Sequence, residues 1–275
     1  MDSVAGKKVL ITGAAMGMGR LYADLAVREK AAAVVLWDVN QAALDTAVAE
    51  LKAAGGTVFA YTVDVSNLES IEQAAAQVQR EAGDIDLLFN NAGIIRGKFF
   101  WEHDNRRDIW PTMAINTLAI MYIARAFLPA MIANKRESRI VNIASAAGTV
   151  ANPRMSVYCA SKWAAIGWSD SLRLELKQAG HVHVKVTTVC PSYISTGMFS
   201  GVKAPLLTPI LTPEVVTNRV WQAMKAGKPL LTMPWTVRLA MLARGLLPLA
   251  LWDFVADRIF GIYHSMDDFE GRPKS

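Results

Sequence analysis

The chain has 275 residues, of which 52% are hydrophobic and 19% are charged, and its formal net charge is +5. This composition excludes an intrinsically disordered chain and fits one large α/β domain better than two small ones. The basic residues occur in short clusters without interleaved aromatic residues, so we expect no nucleic-acid partner.

The cysteine and histidine content argues against disulfide and metal sites. The two cysteines, Cys159 and Cys190, are too few for a disulfide scaffold, and we expect both to be buried thiols in a reducing, cytoplasmic setting. The four histidines have no partner at metal-ligand spacing, so we predict no metal site.

The first predicted strand begins at Lys8, and no window of 18 residues is both apolar and uncharged. We therefore expect neither a signal peptide nor a transmembrane helix.

Apolar runs alternate with amphipathic stretches along most of the chain. Strands are predicted at 8–11, 34–37, 58–63, 87–89, 139–143, 185–189 and 230–233. Helices are predicted at about 17–29, 41–54, 66–82, 105–133, 155–178 and 214–226. Ser66 and Glu69 form a capping-box pattern at the start of the third helix. This alternation predicts an α/β fold, a Rossmann-like doubly wound parallel sheet of about seven strands, in a single domain that spans residues 1–275.

The regular alternation stops after Pro191. The segment 193–213 contains three prolines and few helix signals, and we predict that it is a substrate loop or partial lid. Residues 234–265 are very apolar, with interruptions at Gly245 and Pro248. They are predicted to form two short amphipathic helices as a C-terminal extension.

A glycine-rich turn follows the first predicted strand. Thr12 to Gly19 reads TGAAMGMG, between a strand and a helix, which is the context that a dinucleotide-binding turn requires. Glycines let the turn tighten and let the backbone approach a pyrophosphate, while the free N–H groups of the helix N-terminus attract an anion. The candidate cofactor contacts in this turn are Gly13, Ala15, Met16, Gly17, Met18 and Gly19.

Asp38 closes the second strand, about twenty residues after the glycine turn, with Val39 beside it. A carboxylate there accepts hydrogen bonds from the ribose hydroxyls of NAD and repels the additional phosphate of NADP. No arginine or lysine occupies positions 14–16. The sequence therefore favours NAD as the cofactor.

Ser145, Tyr158 and Lys162 form a candidate catalytic trio within ASAAG…YCASK. Tyr158 and Lys162 are four residues apart, so on a helix the phenol and the ammonium lie on one face. A nearby cation favours phenolate, and lowering the tyrosine pKa from about 10 to about 7 requires about 4 kcal/mol of differential stabilisation. Such a tyrosine exchanges a proton with an alcohol or carbonyl oxygen, to which the serine hydroxyl can also donate. Taken alone the pattern is weak, since surface helix residues and a loop serine also produce it.

Together these motifs resemble the short-chain dehydrogenase/reductase family over about residues 6–226. The resemblance rests, in chain order, on the glycine pattern at 12–19, Asp64-Val65, Asn90 to Gly93, Asn116, Ser145, Tyr158 and Lys162. The segments LWDVN, FLPAMIANK, IVNIASAAG and SVYCASKWAAIGWSDSLRLEL resemble, more narrowly, the 17-beta-hydroxysteroid and retinol dehydrogenases that act on large apolar alcohols.

The resemblance implies a role for each matched residue. It implies that Tyr158 is the acid/base and also contacts the cofactor, that Ser145 orients the substrate oxygen, and that Lys162 binds the nicotinamide ribose and lowers the tyrosine pKa. Asn116 is implied to hold a water that links Lys162 to solvent. The remaining implied cofactor contacts are Asp64 and Val65 at the adenine, Asn91, Ala92 and Gly93 along the cleft, and Pro191, Ile194 and Thr196 beside the nicotinamide. The family also implies a homodimer or homotetramer paired through the helices at 105–133 and 155–178.

One position departs from the family pattern. Ser192 follows Pro191 where the family usually has glycine. The serine puts the local backbone in doubt, since its side chain would either crowd the nicotinamide loop or add a hydrogen bond there.

The substrate pocket is expected to be apolar. It is predicted to form from 94–100, 147–150 and 193–211, and the candidate substrate contacts are Ile95, Ala147, Val150, Tyr193 and Met198. Such a pocket suits a bulky hydrophobic secondary alcohol or ketone, such as a steroid or terpenoid, and a retinoid-type primary alcohol is a further option. The alternative is that several of these residues belong to the core or to a subunit interface.

Other interpretations stay open for the extension and for the function. The C-terminal apolar stretch is interpreted first as substrate lid and core, then as a subunit interface, and least favoured as a membrane-surface patch. The functional alternatives are an NADP-linked ketoreductase of the same fold, which favours a basic residue near position 16 and no acid at 38, and a non-catalytic dinucleotide-binding protein.

Overall fold

A seven-stranded parallel sheet forms the centre of the protein in the computed structural model, which describes residues 1–271. Its strands β1 to β7 are Lys8–Thr12, Ala33–Asp38, Val58–Thr62, Leu87–Asn90, Ser138–Ile143, Val184–Pro191 and Leu230–Met233. The helices α1 to α8 are Gly17–Arg28, Gln41–Ala53, Leu68–Glu81, Asn105–Ala133, Ser156–Gln178, Pro213–Ala226, Trp235–Leu246 and Leu249–Phe254. The predicted Rossmann-like fold, the strand number and the C-terminal helices are confirmed.

The order of the strands creates the edge at which a ligand site is expected. The sheet runs β3-β2-β1-β4-β5-β6-β7, and every neighbouring pair is parallel. The order therefore reverses between β1 and β4, where the connections leave in opposite directions. Open parallel sheets bind ligands outside the carboxyl ends of the strands at such a switch point.

The core lies on both faces of the sheet because neighbouring side chains of a strand point in opposite directions. In β1, Val9 and Ile11 pack in one cluster with residues of α1, α2 and α6. Leu10 packs in the other cluster, with residues of α3, α4 and α5. Buried strands covered on both sides read as continuous apolar runs, which is why the sequence showed them clearly.

The predicted capping box at the third helix is wrong by one residue. Asn67 is the N-cap of α3, and its side chain accepts a hydrogen bond from the backbone N–H of Ser70 at 3.0 Å. Ser66 instead donates its hydroxyl to Asp64 Oδ1 at 2.7 Å. Because this turn engages the serine, the helix begins one residue later and asparagine caps it.

Among residues 1–271, α4 is the helix that is long and apolar enough, by length and composition, to cross a membrane. Its most apolar window is 44% buried inside the protein. Ile123, Phe127 and Met131 pack under the sheet in the same cluster as α3 and α5. In this fold α4 is a core helix.

The segment after β6 is irregular, as predicted for residues 193–213. Its two ends are joined by a bridge between Ile194 and Leu211, with Leu211 N donating to Tyr193 O at 2.9 Å. The chain continues through α6 and β7 into α7 and α8, and Pro248 separates these last two helices.

Candidate active site

The glycine turn after β1 is shaped by contacts that a side chain would block. Gly13 and Gly17 have positive φ angles of 61° and 57°, which residues with a Cβ rarely adopt. A Cβ on Gly19 would lie 2.0 Å from Gly13 O, so this glycine lets α1 pack against the turn. Asn91 braces the turn by donating its side-chain N–H to Thr12 O at 3.0 Å.

Asp38 stands at the carboxyl end of β2 and faces the turn. Its carboxylate accepts hydrogen bonds from Ala15 N at 3.0 Å and from Asn40 N at 3.1 Å. These two backbone donors hold the acid at the rim of the cleft, where it is partly exposed. The predicted position of the acid beside the dinucleotide turn agrees with the structure.

The two halves of the sheet enclose a cleft at the switch point. Most of the predicted cofactor residues line it, namely Gly13, Met16, Gly17, Met18, Asp38, Val39, Asp64, Val65, Asn91, Ala92, Gly93 and Thr196. No lysine or arginine of residues 1–271 belongs to this lining. The glycine turn and the helix N-terminus offer N–H donors to a pyrophosphate, and the carboxylate offers an acceptor to ribose hydroxyls, so the residues present fit a dinucleotide.

Six residues predicted to contact the cofactor lie outside the cleft lining, namely Ala15, Gly19, Tyr158, Lys162, Pro191 and Ile194. Tyr158 and Lys162 are buried in α5. Ala15 faces Asp38 through its backbone N–H, and Gly19 contacts the turn itself. Pro191 ends β6 in the interior, and Ile194 packs in the cluster on the α1 and α6 face. Ile194 is pulled inward because its backbone bridges to Leu211.

The catalytic trio is brought together from two elements. Ser145 follows β5 and caps a single turn at Ala146–Gly148, with its Oγ accepting from Ala147 N at 3.1 Å. Tyr158 and Lys162 lie one turn apart in α5, and the Lys162 Nζ is 5.7 Å from the centroid of the tyrosine ring. Tyr158 is only 5% exposed and Lys162 only 4%. The predicted constellation is therefore formed, in a buried setting.

Burial controls the protonation of this trio. It raises the pKa of Tyr158 well above its ordinary value because a buried phenolate loses its hydration, while hydrogen bonding with Ser145 acts in the opposite direction. Burial also lowers the pKa of Lys162 from 10.5 to about 8. The expectation that the lysine brings the tyrosine pKa towards 7 is therefore wrong for the protein's own groups. Desolvation of the phenolate, rather than the Lys162 ammonium 5.7 Å from the ring centroid, decides the direction of the tyrosine pKa.

Asn116 forms hydrogen bonds both with the segment after β4, which lines the cleft, and with α5, which carries Tyr158 and Lys162. Its Nδ2 donates to Ile94 O at 2.9 Å and to Ser161 Oγ at 3.0 Å, and its Oδ1 accepts from Ile94 N at 2.9 Å. Lys162 Nζ donates to Ile143 O at 2.8 Å. The asparagine thus fixes the irregular segment that follows β4 against α5, and its implied water-holding role stays a prediction.

An apolar cavity opens beside Ser145. Its walls come from the segment after β5, from the irregular segment after β6 and from α7. Ala147, Val150 and Tyr193 line it as predicted, together with Ser145, Ala146, Thr149, Asn152, Met155, Ser192, Phe199, Pro205, Thr208, Thr236, Val237, Ala240 and Ile262. A largely apolar cavity next to a proton-transfer group suits an alcohol or ketone with a bulky hydrocarbon part.

Two predicted substrate contacts lie elsewhere. Ile95 is buried in a small cluster with Tyr158 and Met266, and Met198 lines the cofactor cleft. Sequence reasoning also missed the contribution of Thr236, Val237 and Ala240 from α7. The apolar composition of the extension signalled burial there, but no local pattern showed which cavity these residues would reach.

A polar cluster at the far side of the cavity ties the C-terminal segment to the rest of the domain. Asn152 Nδ2 donates to Tyr193 Oη at 3.0 Å and to Ser265 Oγ at 2.9 Å, and the two hydroxyl oxygens are 2.7 Å apart. Because Ser265 lies more than 70 residues from either partner in sequence, this cluster could not be read from any local motif.

Ser192 does not disturb the end of β6. Its backbone N–H donates to Met233 O at 2.7 Å, which continues the pairing of β6 with β7. Its side chain belongs to the wall of the apolar cavity. The departure from the usual glycine therefore places a serine at the apolar cavity and leaves the strand intact.

Comparison with known proteins agrees with this geometry. The family described as short chain dehydrogenase matches residues 7–206. The chain is 39% identical to epidermal retinol dehydrogenase 2 of Mus musculus, over 99% of this chain and 88% of that protein. It is 36% identical to estradiol 17-beta-dehydrogenase 11 of Macaca fascicularis, over 90% of this chain and 81% of that protein.

A solved structure extends the comparison to the fold. The crystal structure of a short chain dehydrogenase/reductase from Burkholderia phymatum in complex with NAD superposes with a TM-score of 0.80 and 28% identity. The match covers 90% of this chain and 96% of that chain.

Proposed function

This chain belongs to the short-chain dehydrogenase family, and we propose that it is an NAD-dependent oxidoreductase that interconverts a hydrophobic secondary alcohol and its ketone. The observation that carries this proposal is the position of Ser145. Its hydroxyl lies at the wall of the apolar cavity and forms a hydrogen bond with Tyr158. A substrate oxygen placed there would meet both side chains.

The choice of NAD rests on the charges around the cleft. Asp38 presents a carboxylate at the position expected for the ribose hydroxyls, and the described lining contains no lysine or arginine to hold an additional phosphate. An NADP-linked ketoreductase would need the opposite arrangement. The crystal structure of the Burkholderia phymatum relative is a complex with NAD, which supports the same choice.

The proposed chemistry assigns one task to each residue of the trio. The nicotinamide supplies a hydride acceptor for oxidation and a hydride donor for reduction. In oxidation Tyr158 takes the proton of the substrate hydroxyl at its phenolate oxygen, and in reduction it returns a proton to the carbonyl oxygen. Ser145 donates a hydrogen bond to that oxygen, and Lys162 places a positive charge beside the phenol.

The cavity supports a bulky apolar substrate. Its lining is mostly hydrophobic side chains, with a few hydroxyl and amide groups at fixed positions. Such a site binds a ligand mainly through burial of hydrocarbon and orients it by a small number of polar contacts. The relatives named as retinol and estradiol dehydrogenases support the same class of substrate.

Replacement of the acid/base tests the assignment directly. We expect Tyr158→Phe to lower turnover by at least about a hundredfold, because general acid–base catalysis contributes that much, while NAD binding stays nearly unchanged. Turnover is followed by NADH absorbance over steroids, terpenoids, retinoids and simple secondary alcohols, and NAD binding by calorimetry. Tyr61→Phe, in a strand away from the trio, is the control.

Each of the following results would contradict part of the proposal. Undiminished turnover in Tyr158→Phe would remove the tyrosine from the mechanism. Turnover confined to small polyols or sugars, or supported better by NADP than by NAD, would overturn the proposed substrate or cofactor. Binding of NAD without turnover of any alcohol would favour the non-catalytic alternative.

A further inference from the structure

The outer side of α7 carries a stripe of exposed apolar side chains. Trp235, Leu239, Leu242 and Leu246, named here the α7 stripe, are spaced four, three and four residues apart and so lie along one side of the helix. Trp235 is 67% exposed, Leu242 60% and Leu246 81%. Scattered exposed leucines are ordinary on a protein surface, but a continuous stripe of large ones indicates a binding surface.

The stripe is not needed for packing, because α7 uses its other side for that. Thr236, Val237 and Ala240 line the substrate cavity. Ala240 and Ala243 also pack against a small cluster that contains Trp252. One side of α7 therefore lines the apolar cavity, and the opposite side forms an apolar outer surface.

The neighbouring elements extend this surface. In α8 and the turn after it, Leu249, Leu251, Phe254 and Ile259 are exposed. The loop 193–213 adds Leu206, Leu207 and Ile210, which are also exposed. The loop is fastened to the extension by Leu206 N, which donates to Phe260 O at 2.9 Å, and by the hydroxyls of Thr208 and Thr236 at 3.0 Å.

The charged residues of α7 are Arg238 and Arg244, and they lie on different sides of the helix. Arg238 is exposed and borders the stripe, next to Leu239 and one turn before Leu242, whereas Arg244 is half-buried on the side that faces the cavity. A helix with an apolar stripe bordered by an exposed arginine is typical of segments that lie in the headgroup region of a membrane, with the guanidinium reaching the lipid phosphates. A second copy docked symmetrically through this stripe would instead bring the two copies of Arg238 close to each other, which disfavours such a dimer.

We propose that the α7 stripe rests on the surface of a lipid bilayer that contains anionic headgroups. The helix lies parallel to the surface, with its four large apolar side chains among the lipids and Arg238 at the phosphates. The cavity, which the other side of α7 lines, then lies about one helix width from the bilayer, in which hydrophobic alcohols and ketones dissolve. This contact is peripheral and needs no membrane-spanning segment.

The test is cosedimentation of the full chain with phosphatidylcholine vesicles, prepared with and without phosphatidylserine. We expect binding to the vesicles that contain phosphatidylserine, and weaker binding as salt is raised. Leu242→Glu and Leu246→Glu should each weaken it by about tenfold or more, since each removes a leucine from the apolar phase. Arg238→Gln should reduce the additional binding that phosphatidylserine produces and should leave binding to pure phosphatidylcholine vesicles unchanged.

Val182→Glu is the matched control. Val182 is 64% exposed and precedes β6, so it lies at the opposite edge of the sheet from the cavity. It introduces the same charge at a similarly exposed apolar site, and vesicle binding should not change. Because the assay contains no substrate, its failure would leave the proposed reaction untouched.

Three outcomes would overturn the inference. The first is a wild-type protein that stays in the supernatant with phosphatidylserine vesicles at low salt. The second is equal loss of binding in Val182→Glu and Leu242→Glu. The third is a dimer that Leu242→Glu dissociates while no form of the protein binds vesicles, which would identify a second copy as the occupant of the α7 stripe.

Discussion

Replacing the buried lysine of the trio is expected to stabilise the fold while it removes activity. Burial lowers the pKa of Lys162 from 10.5 to about 8, and a difference of that size corresponds to about 3 kcal/mol of destabilisation at neutral pH. Lys162→Met removes this cost but leaves Ile143 O without its donor, which costs about 1–2 kcal/mol. We expect a net gain of about 1–2 kcal/mol in the free energy of unfolding at pH 7.

The pH dependence of the stability gained by Lys162→Met shows whether burial of the lysine charge is its cause. Between pH 8 and 10.5 the unfolded chain holds the Lys162 proton and the folded protein does not, so the stability of the wild type rises with pH in this window. Below pH 8 both states are protonated and the cost of burial is fully present. The advantage of Lys162→Met should therefore be largest below pH 8 and should shrink as the pH approaches 10.5.

Urea unfolding of the wild type and of Lys162→Met at pH 7, 9 and 10 measures this difference. Lys177→Met, an exposed lysine of the same helix, is the control and should change the stability little at any of these pH values. A Lys162→Met protein that is less stable than the wild type at pH 7, or whose advantage is the same at pH 10, would refute the argument from burial.

Four further predictions follow from the site. Gly19→Ala should lose NAD binding and several kcal/mol of stability, because its Cβ would lie 2.0 Å from a backbone oxygen. Gly167→Ala is the control; this glycine has open space around it on α5, so the change should stabilise the fold by up to about 1 kcal/mol. Thermal unfolding of both variants measures the difference. Asp38→Asn should raise the activity ratio of NADP to NAD by about tenfold or more, measured as kcat/KM for both cofactors. Ala240→Trp should fill the cavity and raise KM for a steroid more than for a short alcohol. Since burial raises the pKa of Tyr158, the rate of oxidation should increase towards alkaline pH, and a pH–rate profile that falls over the same range would contradict this.

The cofactor half of the site could be predicted from the sequence because its signals are local. The glycine turn lies between a strand and a helix, and Asp38 ends the next strand, so chain order alone places both at one edge of a parallel sheet. Tyr158 and Lys162 were placed together by one turn of helix. These inferences needed only the periodicity of strands and helices.

The substrate half could not be predicted to the same depth. Its walls come from segments far apart in sequence, and α7 contributes Thr236, Val237 and Ala240 to a cavity whose other walls lie up to about ninety residues earlier in the chain. Side-chain direction in an irregular loop follows no period, which explains why Met198 turned to the cofactor cleft and Ile194 to the core. Local rules do not contain these tertiary constraints.

The protonation of the trio is a further property that spacing did not show. Proximity of Lys162 to Tyr158 suggested a lowered tyrosine pKa, but both groups are buried, and burial acts against each charged form. The loss of hydration of a side chain depends on all the residues packed around it. A sequence motif predicts which groups lie close together but not how deeply they are buried.

The two sides of α7 are proposed to have different roles, substrate binding on the inner side and vesicle binding on the outer side, and substitutions can test each role separately. Ala240 faces the substrate cavity, and Leu242 lies on the outer stripe two residues later, so the helix presents each to a different environment. A bulky residue at 240 should alter substrate binding and leave vesicle binding intact, whereas a charge at 242 should have the reverse effect. If both changes impaired both properties, α7 would act as a single structural unit, and the assignment of separate roles to its two sides would be wrong.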